Sequence, residues 1–310
     1  MTSASPPEVT TPDQGLPLQG IAWMIVSTLM FVIVTAIIRN LGSTLPAAES
    51  AFIRYLFGFL LLLPAFWKLR RNPPPISLVR LGAIRAFAHS LGVVLWFYAM
   101  ARISMAEVTA IGYVTPIFVT IGAAIFLGEK LRARRIMGVI AGLLGALIIL
   151  RPGFTETSIG QLAQLAAAPL FATSYLMTKS LTGKTTPQTI VLLLTIFCTL
   201  FLLPFAMLNW QTPTLTELGW LLLTAICATF GHYAMTRALA AAPISVTQPI
   251  TFLQLVWASI VGVFLFNETL DPFVILGGVI IVSAASFISY RENKLMKKPI
   301  TPPTSATKLQ

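Results

Sequence analysis

Apolar blocks of about twenty residues alternate with short polar connections along the whole chain. Ten such blocks fall at 18–39, 46–69, 82–101, 105–127, 133–151, 158–179, 187–208, 215–237, 244–266 and 272–290. In a helix, at 1.5 Å per residue, about twenty residues cross the ~30 Å hydrocarbon layer of a bilayer. Each block therefore predicts one transmembrane helix. A transmembrane barrel would show shorter segments of alternating polarity instead.

The pattern repeats. Met105 to Leu131 and Ile244 to Leu270 are two copies of one stretch, and Glu129 and Glu268 fall at matching places, 268 − 129 = 139 residues apart. The same shift pairs Gly138 with Gly277, Met100 with Leu239 and Gly145 with Ala284, and a shift of 140 pairs Gly20 with Gly160, Phe31 with Phe171 and Pro64 with Pro204. Each half holds five blocks. Five is odd, so the second half enters the membrane upside down, as in transporters that expose one central site to each side in turn. The predicted fold is all-α and integral to the membrane, with ten transmembrane helices as two inverted five-helix repeats. The divisions are a disordered cytoplasmic tail (1–17), a first repeat (18–151), a second repeat (152–290) and a basic cytoplasmic tail (291–310).

Composition agrees. The chain of 310 residues is 56% hydrophobic and 10% charged, against about 25% charged residues in soluble proteins. The net charge of +11 does not predict nucleic-acid binding, because the Lys and Arg sit in the gaps between blocks. With ten spans, one side collects Lys68, Arg70, Arg71, Arg80, Lys130, Arg132, Arg134, Arg135, Lys179, Lys184, Arg237 and five residues of the C-terminal tail, while the other collects Arg39, Arg102 and Arg151. The positive-inside rule then puts both termini in the cytoplasm. Cys198 and Cys227 each lie inside an apolar block and predict buried thiols, not a disulfide framework or a metal site. No cofactor, metal ligand set or nucleophile–base cluster is evident, so a membrane enzyme is the remote alternative. The partners expected are a small-molecule substrate, the lipid bilayer and, as a coupling ion, protons. A monomer and a homodimer both fit, since the Gly138, Gly142 and Gly145 stripe suits close helix contact either way.

Ionisable residues inside the membrane each need a reason. Arg54 stands about eight residues, roughly 12 Å, into the second block. It is either a structural cation bonded to helix-end carbonyls or to Glu107, or a counter-ion for a substrate carboxylate or phosphate. Arg85 and His89 are four apart and share a helix face, as an anion contact or gate or as packing and orientation residues. Glu107 opens the fourth block and is the candidate for proton coupling, or else caps the helix or pairs with Arg102 or Arg54. Glu129 and Glu268 are expected to anchor the ends of the repeats. Pro116 and Pro249, with Pro64, Pro169 and Pro204, fall inside blocks and are expected to bend them.

The Phe97-Tyr-Ala-Met100 end of the third block, the Ala106-Glu107…Pro116 pattern, Phe126-Leu-Gly-Glu129, Arg54 in Phe52-Ile-Arg-Tyr55, Arg85, and in the second half Pro243-Ile-Ser-Val246 and Phe264…Glu268 resemble the drug/metabolite transporter superfamily, in its ten-span branch with paired EamA domains. The likeness covers about 18–290. It implies spans 1, 3, 4, 6, 8 and 9 around a central cavity, spans 5 and 10 at the periphery, a small organic metabolite as cargo and no ATP hydrolysis. The second copy departs from the first, with Val246 and Leu255 where the first has Glu107 and Pro116. On the implied cavity spans, Trp23, Ser27, His89, Trp96, Tyr113, Tyr175, His232, Gln248, Gln254 and Trp257 lie at mid-depth and are the candidate substrate-binding residues, with Tyr233 beside them. The expected function is secondary transport of an amino acid or related zwitterion across the cytoplasmic membrane, export before import. The alternative cargo is a larger nucleoside-bearing or vitamin-like solute such as S-adenosylmethionine or riboflavin.

Overall fold

The structure is a computed structural model that describes residues 15–115, 117–119, 121–122, 133–150, 157–181, 184–242, 247, 250–251 and 253–296. Pro116, Glu129, Gln248 and Pro249 lie outside the described residues. Among those described there are eleven helices and no strand: α1 (Gly15–Leu41), α2 (Ala47–Leu61), α3 (Leu63–Arg71), α4 (Ile76–Met100), α5 (Met105–Gly112), α6 (Ala133–Leu150), α7 (Ile159–Leu181), α8 (Pro187–Met207), α9 (Leu215–Ala241), α10 (Leu253–Phe266) and α11 (Pro272–Met296). By length and composition α1, α4, α8 and α9 can each cross a bilayer. The pair α2 and α3 makes a fifth such segment with a 64° bend.

Local chemistry sets the helix ends. Ser104, Thr186 and Thr214 are N-caps whose hydroxyls accept from the backbone N–H three residues on, and Glu217 completes a capping box with Thr214. Helix α1 stops at Gly42, which takes φ 60° and returns its N–H to the Ile38 carbonyl. The second apolar block is not one helix. It breaks at Leu62, and Pro64 falls in the first turn of α3, where a missing N–H does no harm. Pro169 and Pro204, by contrast, stay inside continuous helices. The hydroxyl of Thr173 takes up the carbonyl of Pro169 at 2.9 Å.

The helices pack in pairs that survive exchange of the two halves. The broadest contacts join α1 to α9 and α4 to α7, which are equivalent under the repeat, and α2 to α8 and α6 to α11, each of which maps onto itself. The contacts of α4 with α8 and of α2 with α9 form another exchanged pair, as do those of α1 with α10 and of α5 with α7. The residues agree in detail. A Cβ on Gly231 would lie 3.5 Å from the Phe31 ring, and a Cβ on Gly92 would lie 3.1 Å from the ring of Phe171, the repeat partner of Phe31. Likewise Gly20 abuts Ala242, and Gly160 abuts Ile103, the counterpart of Ala242 under the 139 shift.

At the α6–α11 contact, Gly145 and Gly277 face each other so closely that a Cβ on Gly277 would lie 2.5 Å from the Gly145 carbonyl oxygen. Backbone cannot retreat as a side chain can. Gly277→Ala is expected to destabilise the protein by about 1–3 kcal/mol. Gly219→Ala, on an open face of α9 with nothing within 4 Å, is expected to be neutral or to stabilise by about 0.5–1 kcal/mol. Thermal unfolding of the two purified variants checks the contrast.

Candidate functional site

One end of the bundle is closed by carboxylates, and each spans the two halves. Asn267 ends α10 in the left-handed region (φ 50°), and the Glu268 N–H returns 3.0 Å to the Gly262 carbonyl, six residues back. That turn folds the Glu268 side chain back over Gly262, where a Cβ would lie 2.5 Å from Oε2. The carboxylate then accepts from the Met105 N–H at 2.9 Å, capping α5, and pairs through Oε1 with Arg39 Nε at 3.0 Å, at the end of α1. At the same end Glu49 accepts from the Gln211 N–H at 2.9 Å, and Glu107 accepts from the Gln161 side-chain amide.

Deeper in the bundle lies a cavity of about 250 Å³ between α1, α2, α4, α5, α7, α9 and α10. Arg85, His89 and Trp96 reach it from one face of α4, at helical spacings of four and seven. Ala228, His232 and Met235 reach it from α9, and Phe171, Ser174, Tyr175 and Thr178 from α7. Two imidazoles meet on its wall: the rings of His89 and His232 lie 5.4 Å apart, edge to face. Phe31 backs His232 at 5.0 Å and Phe171 backs His89 at 5.3 Å. Ser174 Oγ sits 3.2 Å from His89 Nδ1. The Tyr113 hydroxyl donates to the Thr251 carbonyl.

Both intramembrane arginines line this cavity, and both are buried, Arg54 at 5% and Arg85 at 2% exposed. The Arg54 guanidinium lies over the Tyr55 ring at 3.8 Å, and Arg85 Nη1 donates to the Ile190 carbonyl at 3.1 Å. The ion pair considered for Glu107 does not form with either Arg54 or Arg102. Glu107 turns to Gln161, and Arg102 packs on Tyr98 and donates to its carbonyl. Among the described residues the ion pair of Arg39 with Glu268 is the single one, and no carboxylate stands within 4 Å of Arg54 or Arg85.

Of the sequence candidates, the structure gathers His89, Trp96, Tyr113, Tyr175, His232, Gln254, Arg54 and Arg85 around one space. Trp23 is elsewhere, packed on Phe230 and Tyr233 with Arg237 above its ring. Ser27 donates to the Gly231 carbonyl across the α1–α9 contact. Trp257 packs near Val32, Met105 and Ala258, and Glu107 belongs to the closed end. Sequence reasoning missed Tyr55, Gln164, Phe171 and Ser174 as lining residues. Phe171 carried a signal, as the repeat partner of Phe31; Ser174 lies one turn beyond it and Gln164 two turns before it.

The EamA-like transporter family model matches this chain twice, over residues 18–151 and 158–290. The chain belongs to the EamA-like transporter family. Its EamA relatives include a riboflavin transporter of Vibrio cholerae, 29% identical over 91% of this chain and 96% of the relative. An S-adenosylmethionine uptake transporter of Rickettsia prowazekii is 28% identical over 90% and 95%, and a pseudopaline exporter of Pseudomonas aeruginosa is 28% identical over 87% and 95%. A solved crystal structure shares the fold, with a TM-score of 0.57 at 16% identity over 91% of this chain and 98% of that one. The EamA family and its relatives point to a multi-pass membrane transporter of small molecules and not to an enzyme.

The Glu268 bridge makes a testable unit. Glu268→Ala leaves the Met105 N–H and Arg39 without their partner, a loss of about 1–3 kcal/mol. Gly262→Ala displaces the same carboxylate and is expected to destabilise in the same direction. Because both act on one contact, the double variant should fall well short of the sum of the two, as a double-mutant cycle of unfolding free energies will read.

Proposed function

We propose that this protein is a secondary transporter that carries a small polar organic metabolite across the bacterial cytoplasmic membrane by alternating access. The observation that carries the reading is the cavity itself. It lies where the two halves meet, takes its lining from both, and combines aromatic walls with a few placed polar groups. The exchange of equivalent helix contacts described above supports ten crossings in two inverted repeats, and the bias of Lys and Arg to one set of connections supports placing both termini in the cytoplasm. In an inverted repeat, the device closing one end has a counterpart able to close the other. The cargo in this reading is an amino acid or related zwitterion, held among His89, Trp96, Tyr175, His232 and Gln254.

A second reading, a larger vitamin-like or nucleoside-bearing solute, is favoured by two observations. Trp96 and Phe171 stand edge to face at 6.1 Å on the cavity wall, where a ring system can pack. The relatives are a riboflavin transporter, an S-adenosylmethionine uptake transporter and a pseudopaline exporter, and these names include both uptake and export.

The deciding assay is flux in proteoliposomes against amino acids, riboflavin and S-adenosylmethionine, with and without a pH gradient. The gradient arm tests proton coupling through Glu107 or the histidine pair. Saturable flux above empty vesicles is expected for one class. Trp96→Ala should weaken its half-saturation by roughly two- to tenfold, the equivalent of about 0.5–1.5 kcal/mol for an aromatic contact, while Trp23→Ala should leave it unchanged. Flux that rises without saturating would mean a channel, and no flux for any solute would remove the carrier reading.

A further inference from the structure

We infer that the cavity is an oxyanion site, in which Arg54 and Arg85 bind a carboxylate or phosphate group of the cargo and His89 and His232 add hydrogen bonds to it. The inference rests on the transport reading only in taking this cavity as the cargo site. Its basis is the distribution of charge. Among the described residues, the buried carboxylate Glu49 and the partly buried Glu107 and Glu268 all stand at the closed end, and each already accepts a hydrogen bond there. Among the described residues the cavity receives two guanidinium groups and no carboxylate. A buried cation with no counter-charge is unfavourable unless a ligand or water compensates it.

Unsatisfied polar atoms gather around the same space. Arg54 Nε, Arg85 Nε, His89 Nε2, His232 Nδ1, Tyr55 Oη and Gln164 Oε1 are all buried without a hydrogen-bond partner, and all six belong to residues lining it. Buried polar groups are normally paired. Arginine nitrogens can only donate. When Ser174 donates to His89 Nδ1, the proton of that neutral ring is on Nε2, which then donates as well. The two arginines bring donors alone, from α2 and α4, while each histidine adds a donor or an acceptor according to its tautomer, and an acceptor-rich, negatively charged group is the chemistry that matches two guanidinium groups. The aromatic wall of Trp96 and Phe171 is left for the rest of the molecule. The cargo is therefore an organic oxyanion with a flat or apolar portion.

The potential can be read without knowing the cargo. Single cysteines are placed on the lining as Ala228→Cys and Thr115→Cys, in protein reconstituted into nanodiscs, with labelling of native Cys198 and Cys227 measured on the parent. Each is reacted with uncharged methyl, anionic sulfonatoethyl and cationic trimethylammonioethyl methanethiosulfonate. The anionic-to-cationic rate ratio, divided by that for a free thiol, is expected to be about ten or more. Arg54→Gln and Arg85→Gln should each lower the ratio, and Arg85→Lys, which keeps the charge, should hold it. A ratio at or below that of the free thiol overturns the inference. So does a ratio that neither glutamine variant moves, and so does failure of both thiols to react even with the uncharged reagent. No flux enters the measurement, so an error in the carrier reading and an error in the anion site are told apart.

Discussion

A phenyl ring seated on a glycine, made twice, is the contact on which this architecture depends. Phe31 of α1 lies against Gly231 of α9, and Phe171 of α7 lies against Gly92 of α4. In lipid there is no hydrophobic drive to hold helices together, so association rests on close packing and hydrogen bonds. A glycine lets the neighbouring helix come near enough for both. Ser27 uses the approach at once, donating to the Gly231 carbonyl at 3.0 Å. The same two rings then support the two histidines that line the cavity. Packing between the halves and the shape of the site are therefore one set of contacts.

Polar groups are rationed by the same solvent. A chain with 10% charged residues has few ionic contacts to place, and it concentrates them. The carboxylates of Glu49, Glu107 and Glu268 all bridge one half to the other at a single end. The buried guanidinium groups stand apart, at the cavity. This separation gives the interior its sign, and it leaves the cavity dependent on what enters it for compensation.

Much of this was legible in the sequence, and the exceptions have physical causes. Block length and the two shifts locate the helices and identify Phe31 with Phe171 as equivalent. The break at Leu62 was hidden because residues 59–66 are apolar throughout, so composition carried no mark where the axis turns. Depth could be read from position along a block, but the direction a residue faces could not, since a helix apolar all round has no polar face to orient it. Trp23 and Phe31 show the difference. They are eight residues apart on α1, about 80° around the axis, and only Phe31 reaches the cavity. Glu107 was placed correctly at the start of α5. Its partner could not be foreseen, because Gln161 is far away in sequence and meets it only once the two halves pack.

The Glu268 carboxylate answers to three neighbours at once: the glycine beneath it, the amide that opens α5, and the guanidinium that closes α1. Any motion that parts the halves at this end has to strip it of amide and cation together, since both lie across the seam. The two contacts therefore act as a single latch between the halves.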